Sequence, residues 1–172
     1  MSTITYGDRN IQISSTNQMS LPNQSCVIAY QASTAANATG NNTSYTLGTT
    51  VDLTEITDQN SDFVPTTGVF TAPITGRYIV IVGITLDNLD AAMTNGRFEL
   101  ITSNREWYAP FGNPANLRDS ADQCCFVYSA IPDMDAADTF TARIRVSGSG
   151  LTAGIYGVAT NPYTYVCCNL IC

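Results

Sequence analysis

The chain contains no lysine and no histidine: its seven positive charges are all arginine, against fourteen carboxylates, for a net charge of −7. Without those residues there is no imidazole base, no imidazole metal ligand and no Schiff-base amine, and no nucleophile has an evident base beside it. No enzymatic activity and no cofactor is therefore expected. The arginines are scattered along the sequence, so the clustered basic field that coats a phosphate backbone is missing and no nucleic-acid partner is expected. No run approaches the ~20 apolar residues of a membrane span, and the amino terminus lacks the basic start and apolar core of a secretory signal. Synthesis in a cytosol, with no membrane partner, is the expectation. Charged residues make up only 12% of the chain, and no segment sustains the 3.6-residue apolar period of a helix.

What is present reads as β-structure. Seven prolines and twelve glycines punctuate 172 residues rich in Ser, Thr and Asn, which fits many short strands joined by turns. The length suits one domain with an arm. Residues 1–25 are polar and weakly patterned, and they read as an extended N-terminal arm ahead of a domain at 26–172. Within the domain the pattern predicts strands at 26–31, 45–53, 68–71, 77–86, 96–102, 123–130, 139–146, 151–158 and 163–171. Turn-rich connections are expected at 33–44, 57–67, 106–122 and 132–137. Spacing of this kind suggests a two-sheet sandwich, most simply a jelly roll.

Two strands stand out because both of their faces are apolar. In 77–86, Tyr78, Val80, Val82, Ile84 and Leu86 alternate onto one face while Ile79 and Ile81 make the other apolar too. In the last strand Tyr163, Tyr165, Cys167 and Ile171 oppose Val166, Cys168, Leu170 and Cys172. A strand of this kind needs cover on both faces, one inside the sandwich and one against another subunit. By contrast Phe140, Ala142, Ile144 and Val146 alternate with Thr141, Arg143 and Arg145, the pattern of a half-buried strand.

Six cysteines, Cys26, Cys124, Cys125, Cys167, Cys168 and Cys172, read as reduced core residues rather than a disulfide framework. No metal site is expected: neighbouring thiols of a strand point to opposite faces, and the carboxylates Asp133, Asp135 and Asp138 or Asp87 and Asp90 read as solvated turns. The segment around Trp107, Tyr108 and Phe111 reads as an aromatic loop, either a binding surface or a cap on the barrel end.

Phe70, Pro73, Gly76 and Tyr78, leading into a long strand, resemble the C1q/TNF-like jelly-roll family. The closing Tyr163 to Ile171 and the opening 26–32 are similar to that family's last and first strands. The chain departs from it in lacking a collagen-like stalk. The resemblance implies a ten-stranded sandwich that assembles as a homotrimer, its first, last and long middle strands facing the threefold axis. Tyr78, Ile79, Ile81, Tyr163, Tyr165, Val166 and Leu170 are then the expected interface residues. Cytosolic synthesis, a trimer-type fold and a polar arm together point to a structural protein of a phage-type virion. It would decorate the outside of the capsid and contact the major capsid protein through residues 1–25. The alternatives are a receptor-binding tip or adhesin that recognises glycan or surface protein through Trp107, Tyr108 and Phe111, and a secreted C1q-like binding protein.

Overall fold

The computed structural model describes residues 24–172 in full and, ahead of them, only the backbone of three strands: β1 (Ser2–Tyr6), β2 (Arg9–Ile13) and β3 (Met19–Ser20). These pair antiparallel in that order. Within residues 1–25, expected as an extended arm, the chain thus doubles back into a small meander, and the remaining residues before Gln24 lie outside the described ones. Then come β4 (Cys26–Gln31), β5 (Ser33–Thr39), β6 (Ser44–Thr46), β7 (Leu53–Asp58), β8 (Phe63–Val64), β9 (Val69–Thr71) and the longest strand, β10 (Gly76–Asp87). After it follow β11 (Asn95–Thr102), β12 (Glu106–Phe111), a single 3-10 turn at Pro114–Asn116, β13 (Cys124–Ala130), β14 (Asp133–Met134), β15 (Thr139–Ser147), β16 (Ala153–Val158) and β17 (Tyr165–Leu170).

Two antiparallel sheets carry the domain. The larger has eight strands: β10 pairs β17 and then β16 along one side, with β4 and β7 following β17 and β5 following β16, and it pairs β13 and β14 along the other. The smaller has six, in the order β12, β11, β15, β9, β8, with β6 also on β15. The side chains of β10 explain why it forms the spine: Tyr78, Val80, Val82, Ile84 and Leu86 are each at most 2% exposed. They meet Phe70, Phe98, Leu100, Phe140, Ile144 and Val146 of the smaller sheet in one continuous core. Each fully buried aliphatic side chain contributes roughly 1.5–3 kcal/mol, so this strand alone anchors a large share of the fold. Phe70 stacks on Phe140 at 5.0 Å and meets the edge of Tyr78 at 5.5 Å, while the Tyr78 hydroxyl donates to the carbonyl of Ile74 at 2.7 Å. The core of the fold thus rests on the residues that open the Phe70 to Tyr78 motif.

The described strands outnumber the ten expected, for local reasons. The strand expected at 45–53 is two strands, because Gly48 sits at φ +87° in a turn pressed against backbone. A Cβ there would lie 2.5 Å from the amide nitrogen of Gly68. The 33–44 connection contains β5, whose Ser, Thr, Ala and Asn carry little apolar pattern. It is held by its pairing with β16 and by Thr39 Oγ1, which accepts from the amide of Val146 at 2.9 Å. The 106–122 connection opens with β12.

Candidate assembly interface

The outer face of the larger sheet follows from its register. One row across it reads Ser129, Ile81, Cys167, Ile28 and Thr57, the next Val127, Gly83, Tyr165, Tyr30 and Thr54, and a shorter one Ile79, Asn169 and Cys26. None of these residues is charged. Ile28, Tyr30, Ile79, Ile81, Tyr165 and Cys167 are half-buried, and Val127 is 61% exposed. Gly83 is what lets the face lie flat: the Tyr165 ring covers it so closely that a Cβ would sit 2.4 Å from Cε1. Burial raises the Tyr165 hydroxyl above its ordinary pKa, and the Cys167 thiol rises for the same reason, with Cys26 beside it adding to the effect.

The outer face of the smaller sheet is built by the same alternation with different residues. Glu99, 4% exposed, accepts from Arg97 Nε at 2.7 Å and from Ser44 Oγ at 3.0 Å, with Arg145 Nε 3.5 Å away. Arg143 lies directly across from it in the ladder. The Arg97 guanidinium stacks over the Tyr108 ring at 4.1 Å, and the Tyr108 hydroxyl donates to Glu106. Glu99 thus pairs with Arg97 and Arg145 within one chain, while Arg143 Nε is buried without a hydrogen-bond partner.

Of the expected interface residues, Ile79, Ile81 and Tyr165 lie on the uncharged outer face, and Tyr163 stands half-exposed at its rim. Tyr78 and Val166 do not: they are buried in the sandwich at 0% and 2%, where no second copy reaches them. Leu170 packs against that same core. Period-2 alternation separates these sets, and an odd–even count along β10 and β17 assigns each residue to its side. Ile28, Tyr30 and Val127 were missed, although the alternation of β4 and β13 carries the signal.

Trp107, Tyr108 and Phe111 lie on strand β12 rather than in a loop. Trp107 and Phe111 pack toward the core, Phe111 stacked on Phe126 at 4.1 Å, and only Tyr108 faces outward. They do not form a joint surface. All six cysteines are free, but only Cys168 is fully buried, while Cys125 and Cys172 are exposed. Burial pushes the Cys168 thiol far above its ordinary pKa. Among the described residues no cluster of three or more His, Cys, Asp or Glu side chains is placed to hold a metal ion. Of the 133–138 carboxylates, Asp133 lies 3.5 Å from Arg105, and Asp138 accepts from the amide of Asp135 at 2.8 Å and from Asn104 at 2.5 Å. Asp90 does the same for Ala92 and Ser149, which holds its carboxyl below the usual range. No helix among the described residues is long and apolar enough to cross a membrane.

A two-sheet antiparallel jelly roll with one charged outer face and one uncharged outer face is the class these features define. Its fold is that of the C1q/TNF-like jelly rolls. The globular domain of zebrafish complement 1qA superposes with a TM-score of 0.54 at 12% identity, covering 86% of this chain and 98% of that one. Murine APRIL gives 0.53 at 8% identity, covering 86% and 99%. PRD1 vertex protein P5 gives 0.58 at 7% identity, covering 98% of this chain and 85% of that one. No protein-family model and no curated protein matches the sequence.

Proposed function

We propose that the chain is a non-enzymatic structural protein of a virion, assembling as a homotrimer through the outer face of its larger sheet. The observation that carries this reading is the uncharged row set centred on Ile81, Tyr165 and Ile28. Monomers rarely leave so continuous an apolar surface open to water. At ~25 cal/mol per Å², sealing it against copies of itself is worth enough to make the assembly obligate. The likeness to PRD1 vertex protein P5, which spans nearly all of this chain, favours a virion setting over a secreted one.

The trimer decorates the outside of a phage-type capsid and reinforces it, with residues 1–25 contacting the major capsid protein. Three arms engaging a symmetric lattice multiply modest contacts through effective concentration. Sedimentation equilibrium of the full chain tests the first part, with a trimer expected and a stable monomer at micromolar concentration overturning it. Electron microscopy of capsids incubated with the chain lacking residues 1–25 tests the second. Loss of decoration is expected, and full decoration by the truncated trimer rules out the arm as the contact.

A further inference from the structure

Beyond the rim of the uncharged face, the turn ahead of β17 and the segment ahead of β13 enclose a cleft of about 340 Å³. Its first wall is aromatic and is held in place by the residue between its two rings. Thr164 is fully buried: its hydroxyl donates to the carbonyl of Tyr156 at 2.7 Å and accepts from the amide of Thr85 at 3.1 Å. Its carbonyl accepts from the amide of Gln31 at 2.9 Å. Thr164 lies in a bend ahead of β17, and Tyr163 and Tyr165 on either side of it both line the cleft. Tyr163, 46% exposed, leans edge-on against Tyr156 at 5.1 Å, and Tyr165 lies over Gly83. Pro162 extends the wall.

The facing wall is formed by Asp119, Gln123, Cys124 and Cys125, and its polar members are held in place. Asp119 Oδ1 accepts from the amides of Ala121 and Gln123 at 2.8 and 2.9 Å, and Gln123 Nε2 donates to Asp87 at 3.0 Å. These bonds keep Asp119 Oδ2 and Gln123 Oε1 as acceptors. No arginine lines the cleft. The nearest in sequence, Arg118, is occupied by Asp122 at 3.0 Å and by the carbonyl of Leu89 at 2.6 Å. An anionic ligand would meet the Asp119 carboxylate in a chain already at −7.

We propose that this cleft binds neutral carbohydrate, with a pyranose ring stacked on Tyr163 and its hydroxyls donating to Asp119 and Gln123. A pyranose has an apolar C–H face and a rim of hydroxyl donors, which is the complement of an aromatic wall opposite a row of acceptors. The volume lies near the small end of the roughly 300–1,000 Å³ typical of ligand sites, which suits one or two sugar rings. Both walls are fixed before any ligand arrives, so little ordering entropy opposes binding. The inference does not rest on trimer formation. Tyr165 is shared with the uncharged face, and the variants that test the cleft are therefore placed at Tyr163 and Asp119.

The test is saturation-transfer NMR and calorimetry on the full chain, with maltotriose, cellotriose, N-acetylchitotriose and mannotriose as neutral probes. Sialyllactose and trilysine serve as the anionic and cationic comparisons. At least one neutral trisaccharide is expected to bind, with transfer strongest to its ring C–H protons, and sialyllactose is expected to bind more weakly. Tyr163→Ala should weaken that binding by about 10-fold or more, and Tyr163→Phe by less than about 3-fold, since the ring stacks and the hydroxyl does not. Asp119→Asn preserves the turn acceptor and should weaken binding severalfold. Sedimentation of all three variants should match the wild type, which separates failure of the cleft from failure of assembly. No neutral probe binding at ~10 mM, binding indifferent to Tyr163→Ala, or binding of trilysine alone overturns the proposal.

Discussion

At the centre of the smaller sheet's outer face stand Arg97, Glu99, Arg143 and Arg145; at the matching positions of the larger sheet stand Ile81, Gly83, Tyr165, Cys167 and Ile28. Both surfaces are the exposed half of strands whose other half fills the same core. The first places its carboxylate among its guanidiniums inside one chain, with Glu99 shared between Arg97, Arg145 and a serine hydroxyl. The second carries no charge, and its large side chains Ile28, Ile81 and Tyr165 are only partly covered within the chain. A jelly roll decides where its outer faces are, and the residues on those faces decide which of them stays wet.

The comparison is broken most directly by placing a charge on the uncharged face. Ile81→Glu puts a carboxylate among Cys167, Ile28 and Ser129, and burying it unpaired against a second copy costs several kcal/mol. Self-association should weaken by about 100-fold or more by sedimentation. Thr141→Glu, on the other sheet's outer face, should leave it unchanged. An Ile81→Glu chain that assembles normally would remove that face from the interface.

The charged face is broken through its central residue. Glu99→Gln removes the carboxylate that Arg97 and Arg145 share, leaving three guanidiniums close together. The expected loss is about 2 kcal/mol in urea denaturation, below the roughly 3–5 of a fully buried pair, because both arginines remain partly hydrated. Their side chains are 30% and 25% exposed. Assembly should be untouched, since the cluster serves its own chain.

The smallest effect sharpens the contrast between inside and outside through pH. The thiols of Cys168 and Cys167 are raised in the folded chain, chiefly by burial. The unfolded chain therefore releases these protons first, and stability is fully present below the ordinary thiol pKa of about 8.5 and falls as pH rises past it. The slope approaches at most about 1.4 kcal/mol per pH unit for each such thiol. Urea midpoints from pH 7 to 10 should decline, and Cys168→Ala should flatten the decline. An unchanged slope in that variant would assign the alkaline loss elsewhere.

Much of the fold could be read in advance because alternation is a local signal. The inward set of β10, the half-buried pattern of β15 and the Phe70 to Tyr78 motif needed no tertiary information. The strand within 33–44 did not show, since its Ala, Ser and Asn residues have no apolar period and are held by pairing with β16. The split of 45–53 at Gly48 was equally hidden, because that turn is required by a backbone contact with Gly68, twenty residues away. For the interface, the two-sided apolar character of β10 and β17 was visible, yet Tyr78 and Val166 were counted on the wrong side of the sheet. Trp107 and Phe111 looked like a loop because Pro110 and Pro114 flank Phe111 in a turn-rich stretch, whereas β12 is an edge strand that tolerates proline.

By itself the sequence determined that the chain is β-rich, which strands carry an apolar face on each side, and which chemistries the missing histidine and lysine close off. These are properties of residue type and of a two-residue period, and each is complete within a short segment. Only the tertiary structure decided that Ile28, Ile81, Tyr165 and Cys167 become one surface, that Arg145 reaches Glu99, and that Tyr163 faces Asp119 across a cleft. Those juxtapositions join residues tens of positions apart, and they exist only once the register of β4, β10 and β17 is set by packing the core.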